Sequence, residues 1–147
     1  MITSETAVCL RKDSPIEKCT NISMSSTVSI PQTFDSFTET WQPHLVASVN
    51  DQHVKIAKVD GEFIWHAHPN SDELFYLLGG ELTLEIEDRD SVVMSIGDVF
   101  VVPKGVRHRP VAKDAHILMV EKVGTVNTGN EPASERTREV KDVRSVT

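Results

Sequence analysis

From His44 onward the chain alternates apolar and polar residues in short runs, broken by turn formers about every 8–12 residues. Each run reads as a strand. The pattern predicts strands over His44–Asn50, His53–Asp60, Phe63–His68, Glu73–Leu78, Glu81–Glu87, Ser91–Ile96, Val99–Val102, His108–Val111 and Ala115–Val123. Asn50-Asp51, Asp60-Gly61, Asn70-Ser71-Asp72, Gly79-Gly80, Asp88-Arg89-Asp90 and Lys113-Asp114 supply turns between them. Glu81–Glu87 alternates most cleanly. Leu82, Leu84 and Ile86 point inward, and Glu81, Thr83, Glu85 and Glu87 point to water. Many short strands with regular turns indicate an all-β sandwich or barrel.

Upstream the period changes. Thr33–Trp41 reads as a short helix capped by Thr33, with Phe34, Phe37 and Trp41 forming one apolar stripe that packs on the barrel. Pro43 ends it. Residues 1–30 carry no strand or helix period and are rich in Ser and Thr, clearest at Asn21–Thr27, so they read as a disordered tail. The barrel domain is expected over 31–130. Gly124–Asn130 is a glycine-bounded loop, and 131–147 is a charged, polar tail, frayed or disordered.

Composition narrows the classes. At 147 residues and 39% hydrophobic, the chain suits one domain with a sizeable core. Fifteen basic against 22 acidic residues leave a net charge of −7, which argues against nucleic acid or an anionic membrane as the partner. No apolar run reaches the ~18–20 residues of a spanning helix. Met1 to Leu10 has neither the basic start nor the apolar core of a secretory signal, so a cytoplasmic location is expected. Cys9 and Cys19, the only cysteines, then read as reduced thiols.

The candidate chemistry lies in His66-Ala67-His68-Pro69-Asn70-Ser71-Asp72-Glu73. On a strand, residues i and i+2 share a face, so both imidazoles point the same way. Pro69 and the turn formers stop the strand, and a return brings the Glu73 carboxylate beside the rings. Two imidazoles and a carboxylate suit a divalent transition metal. A fourth ligand stands further on, where Gly97, a short strand and the Pro103-Lys104-Gly105 turn lead to His108.

These residues resemble the two motifs of the cupins. The first is matched by Gly61, His66, His68, Glu73 and Gly80, the second by Gly97, Pro103, Gly105 and His108. Two departures touch loop geometry and no ligand: Gly61 is one residue closer to His66 than usual, and Ala112 replaces a final asparagine. The motifs span 61–112, within a strand pattern that fits from about residue 44 to 123. The resemblance implies a small double-sheet jelly-roll β-barrel, related in motif to mannose-6-phosphate isomerase-like proteins, with a short N-terminal helix. It also implies one divalent metal per chain, held by His66, His68, Glu73 and His108. Mn, Fe, Ni, Cu and Zn all accept such ligands. It implies a homodimer too, joined through an outer sheet face or an edge strand near the helix.

Two functions stay open. One is a metalloenzyme acting on a small organic molecule, of oxygenase or isomerase/lyase type. The other is a non-catalytic barrel that binds a small ligand around a structural metal. Ile64, Phe75, Leu77 and Leu118 are expected to line the ligand site, beside Val99 or Phe100. Tyr76, Lys58 and His116 are the candidate acids and bases on inward faces. Arg107 and Arg109 alternate with His108 and should face away, so a small carboxylate, diketone or phenol is expected before a sugar phosphate. His44 and His53 read as surface or strand-end residues.

Overall fold

The computed structural model describes Met24 and residues 26–144. Cys9, Cys19 and most of the 1–30 stretch lie outside the described residues. The elements in order are α1 (Ile30–Asp35), β1 (His44–Val49), β2 (Gln52–Glu62), β3 (Glu73–Ile86), β4 (Val92–Met94), β5 (Val99–Val102), β6 (His108–Lys122) and β7 (Lys141–Asp142). They form one sheet in the order β4-β3-β6-β2-β1-β7, with β5 also paired to β3. Among the described residues, no helix is long and apolar enough to cross a membrane.

The strand regions match the alternation, but two expected hairpins are absent. Gly79-Gly80 and Lys113-Asp114 face each other inside the single long strands β3 and β6, as irregularities in their pairing. Gly80 has φ +74, and a Cβ there would lie 2.1 Å from the Asp114 carbonyl oxygen. Close backbone approach therefore requires glycine, and the chain bends at a bulge where the sequence suggests a turn.

Phe63–His68 also differs from expectation. It runs beside 105–110 but makes no strand, apart from one bridge between His66 and His108. Phe63 N donates to Pro110 O at 2.9 Å. Pro110 has no N–H to return, so the ladder is interrupted.

The sheet is apolar on both faces. Ala57, Val59, Phe75, Leu77, Leu82, Leu84, Ile117 and Met119 belong to the main inner cluster. On the other face α1 brings Phe34, and the turn after it Phe37, against Val46 and Ile56, with Leu118 packed beside them; the helix ends at Asp35, short of the expected Trp41. The helix starts earlier than expected. Ser29, not Thr33, is the N-cap, accepting from Gln32 N, and Pro31 sits in the first turn where its missing N–H costs nothing. Val28 and Ile30, inside the stretch expected as tail, pack on this second cluster. His44 is buried and stacks on Phe37 at 3.7 Å between centroids, a correction to its reading as a surface residue.

The polar C-terminal stretch docks. β7 pairs in parallel with β1, Val143 N donates to Leu45 O at 3.1 Å, and Gln42 Nε2 donates to Glu139 O at 2.6 Å. β1 would otherwise present an unpaired edge, and backbone groups alone are enough to recruit a polar segment there.

Candidate metal centre

Glu73 opens β3 and His108 opens β6, while His66 and His68 ride on the irregular segment after β2. His66 N donates to His108 O at 3.0 Å and His108 N to His66 O at 2.9 Å. The two residues are thus a hydrogen-bonded cross-strand pair, which sets their rings on one face, 4.5 Å apart. Gly105 N donates to His68 O at 2.9 Å, so the Pro-Lys-Gly turn fixes the third imidazole. All four side chains are buried, and one ligand atom from each lies within 4.8 Å of the others.

The donor set fits a divalent cation. Nδ1 of His66 donates to Ile64 O and Nδ1 of His108 to Val106 O, each at 2.9 Å. A carbonyl only accepts, so both tautomers are set with Nε2 left for a ligand role. Glu73 Oε2 lies 3.0 Å from His108 Nε2 and 3.1 Å from His68 Nε2. Each of those contacts needs a proton or a cation between the atoms. Both ring nitrogens of His68 are buried without a hydrogen bond of good geometry, so its approach to Glu73 is an ion-pair distance only.

Electrostatics point the same way. Burial opposes ionisation of Glu73, but the hydrogen bond from His108 and the close approach of His68 outweigh it and hold the carboxyl below its usual range. Burial lowers His66 to about 4, helped by the charge of His108. Burial also works against a charged His68, yet the Glu73 carboxylate prevails and raises it.

A strap supports the irregular segment. Asn130 N donates to Ala67 O at 2.9 Å, and Ala67 N donates to Asn130 Oδ1 at 3.0 Å. Gly129 before it has φ +58, and a Cβ there would meet Ala67 O at 2.2 Å. The loop 124–130 therefore does for His66-Ala67-His68 what a neighbouring strand does elsewhere.

A family profile described as the Cupin domain (Cupin_2) matches residues 52–121. A crystal structure of a cupin-2 domain protein from Shewanella frigidimarina is 35% identical, with a TM-score of 0.60 over 65% of this chain and 92% of that one. This chain belongs to the cupin-2 domain family. The cupin is also similar to protein NMB1881 from Neisseria meningitidis, at 27% identity and a TM-score of 0.59, over 66% of this chain and 98% of that one. Among curated proteins it is 44% identical over 64 residues to the uncharacterised protein YdbB of Bacillus subtilis, covering 44% of this chain and 57% of YdbB. The jelly-roll architecture implied by the motifs thus holds for this cupin.

Beside the cluster lies a cavity of about 40 Å³, with Trp41, Phe63, His66, Glu73, Phe75 and Glu121 among its walls. Of the residues expected to line it, Phe75 does. Leu77 is fully buried in the core. Ile64 contributes its carbonyl to His66 and not its side chain to the wall. Leu118 lies on the opposite face, where β6 packs toward α1; Ile117 and Met119 take the inner face. The candidate acids and bases fall away with it. His116 stacks on Phe34 at 4.3 Å, Lys58 Nζ donates to Phe37 O at 2.7 Å, and Tyr76 has the parity of the outer face.

The polar pair the sequence reading missed is Lys55 and Glu121. Both are buried, with Lys55 Nζ donating to Glu121 Oε1 at 2.7 Å. Burial raises the Glu121 carboxyl to about 7, the Glu73 charge adds to this, and Lys55 opposes it. The signal was present: Lys55 shares parity with Ala57 and Val59, and Glu121 with Met119 and Ile117, so each is a charge on an apolar face. Arg107 and Arg109 point away, as expected, and are occupied by Glu131 with Glu87 and by Glu85 with Glu62.

Proposed function

We propose that this cupin holds one divalent transition metal through His66, His68, Glu73 and His108, and acts on a small organic molecule as an oxygenase or an isomerase/lyase. The observation that carries the reading is the convergence of four buried ligand groups, with one ligand atom from each within 4.8 Å of the others. When bound, the cation supplies Lewis acidity toward a carbonyl or, if redox-active, access to dioxygen. The chain's own residues do the rest. Ile64 and Val106 carbonyls orient two imidazoles. Trp41, Phe63 and Phe75 exclude water and give the substrate an apolar wall.

The substrate class follows from what surrounds the cavity. Its narrow, mainly apolar lining and the occupied arginines offer nothing for a phosphate, which supports a small carboxylate, diketone or phenol. Assembly as a homodimer is part of the same proposal. Val93, Ile96, Val99 and Val101 are exposed on β4, β5 and the turn between them, along the edge of β3, and this apolar exposure supports a contact there in preference to one beside α1.

Elemental analysis of protein purified without chelator tests the metal, and a thermal-shift panel on loaded protein tests the substrate class. About one metal per chain and stabilisation by small oxygen-donor ligands are expected. Absence of metal with no uptake on addition would refute the site, and tight binding of a hexose phosphate would refute the class.

A further inference from the structure

Glu121 closes one wall of the cavity, yet only half of its carboxylate is used. Oε1 accepts from Lys55, while Oε2 is buried without a hydrogen-bond partner. An unpaired carboxylate oxygen in an apolar wall is costly, and such groups belong at sites where something else completes them. On the sheet Glu121 sits directly across the ladder from Glu73, and it lines the same cavity as Glu73 and His66. Lys55 holds the side chain from behind, and its ammonium also reaches Thr125 O at 3.4 Å. The acceptor is therefore fixed before any ligand arrives.

Resting on the metal-bound reading above, we infer that Glu121 is the specificity-determining acceptor of this cavity. It selects ligands that carry a hydroxyl hydrogen beside their metal-binding oxygen over ligands that carry acceptors alone. A ketone or ether oxygen in that place would face a carboxylate oxygen and repel it. A hydroxyl would donate to it, in a charge-assisted bond. Lys55 is a positioning residue, since its contact is to Glu121 and not to the cavity. The class above thus narrows to its hydroxyl-bearing members, a small hydroxy acid, a phenol or the enol form of a diketone, and 2-oxo acids of the same skeleton are disfavoured.

Lactate and pyruvate form a matched pair for the test, with the same skeleton and a C2 oxygen that is a hydroxyl in one and a ketone in the other. Calorimetric titration of zinc-loaded protein, at a pH above the raised range of Glu121 so that the carboxylate is ionised, should show lactate bound roughly ten- to hundredfold more tightly than pyruvate. In Glu121→Gln that ratio should fall to about one or invert, with zinc content unchanged. The double variant Lys55→Met/Glu121→Gln leaves no buried ammonium unpaired and should lose the ratio equally, which keeps the test available if the single variant does not fold. A preference for lactate that survives in either folded, zinc-loaded variant would overturn the inference. So would equal or tighter binding of pyruvate, or no binding of either, by the zinc-loaded wild type. Failure to load zinc at all would instead strike the metal reading, and this inference with it.

Discussion

Replacing Gly129 with alanine should loosen the metal centre without touching a ligand. The new Cβ would sit 2.2 Å from Ala67 O and 2.9 Å from Ala67 C. Both are backbone atoms and cannot swing aside, so the strap must lift. Lifting it breaks the two bonds between Ala67 and Asn130, each worth ~0.5–1.5 kcal/mol. Alanine at φ +58 adds roughly 1 kcal/mol of backbone strain. The total is about 2–4 kcal/mol, a drop in Tm on the order of 5–15 °C for a domain of this size. Because His66 and His68 flank Ala67, metal affinity should fall as well, by roughly 10–100-fold, as for other groups that orient ligands. Asn130→Ala keeps the glycine and loses only one side-chain bond, so about 1 kcal/mol is expected there. Differential scanning fluorimetry and chelator competition on the three proteins read both quantities. Wild-type Tm and wild-type metal affinity in Gly129→Ala would show that the strap does not hold the segment.

His108→Ala should cost most of the metal affinity while the fold persists, read by elemental analysis and circular dichroism; full occupancy in the variant would remove His108 from the ligand set. Lys55→Met should leave Glu121 buried without its cation and destabilise the protein by roughly 3–5 kcal/mol at pH 8. A carboxyl whose folded pKa is raised is stabilised by protonation, so that deficit should shrink as pH falls from 8 to 6, measured by urea titration at each pH. In metal-free wild type, His66 is depressed to about 4 from 6.5, so its contribution is intact above 6.5 and is lost as pH falls toward 4. His68 is raised by the Glu73 carboxylate, so its proton competes with metal more strongly than that of an ordinary imidazole, and chelator competition should show metal affinity falling as pH drops. Sedimentation should give a dimer at micromolar concentration, and Val99→Lys with Val101→Lys should give a monomer.

The sequence reading succeeded where one physical rule governed a stretch. Leu82, Leu84 and Ile86 alternate with solvent-facing residues and land inside as read. The four ligands come together because backbone pairing of His66 with His108 and the turn at Gly105 enforce what their spacing suggested. It failed where two rules competed. At Gly80 a glycine pair reads as a turn, but the glycine is there because the facing backbone at Asp114 comes too close for any side chain. β6 lies between β3 and β2 with apolar contacts on both faces, so alternation could not say whether Leu118 or its neighbours Ile117 and Met119 face the cavity. The irregular pairing at Lys113-Asp114 also shifts the parity along β6, so counting from His108 leads to Leu118 while the inner face has passed to Ile117 and Met119. The strap was beyond reach, since a Gly-Asn pair more than 60 residues from Ala67 gives no local sign of its partner.

The strap also bears on when the site comes into being. All four ligand side chains have been synthesised once His108 leaves the ribosome. The segment that carries two of them is then paired on one side only, and Ala67 lacks its partner until Gly129 and Asn130 follow. A nascent chain halted between those points presents the right ligands on a half-held support. On the metal-bound reading proposed above, capture is therefore a late event in biogenesis, and a released chain truncated before residue 129 should bind metal weakly where one that extends beyond the β1–β7 pairing binds it fully.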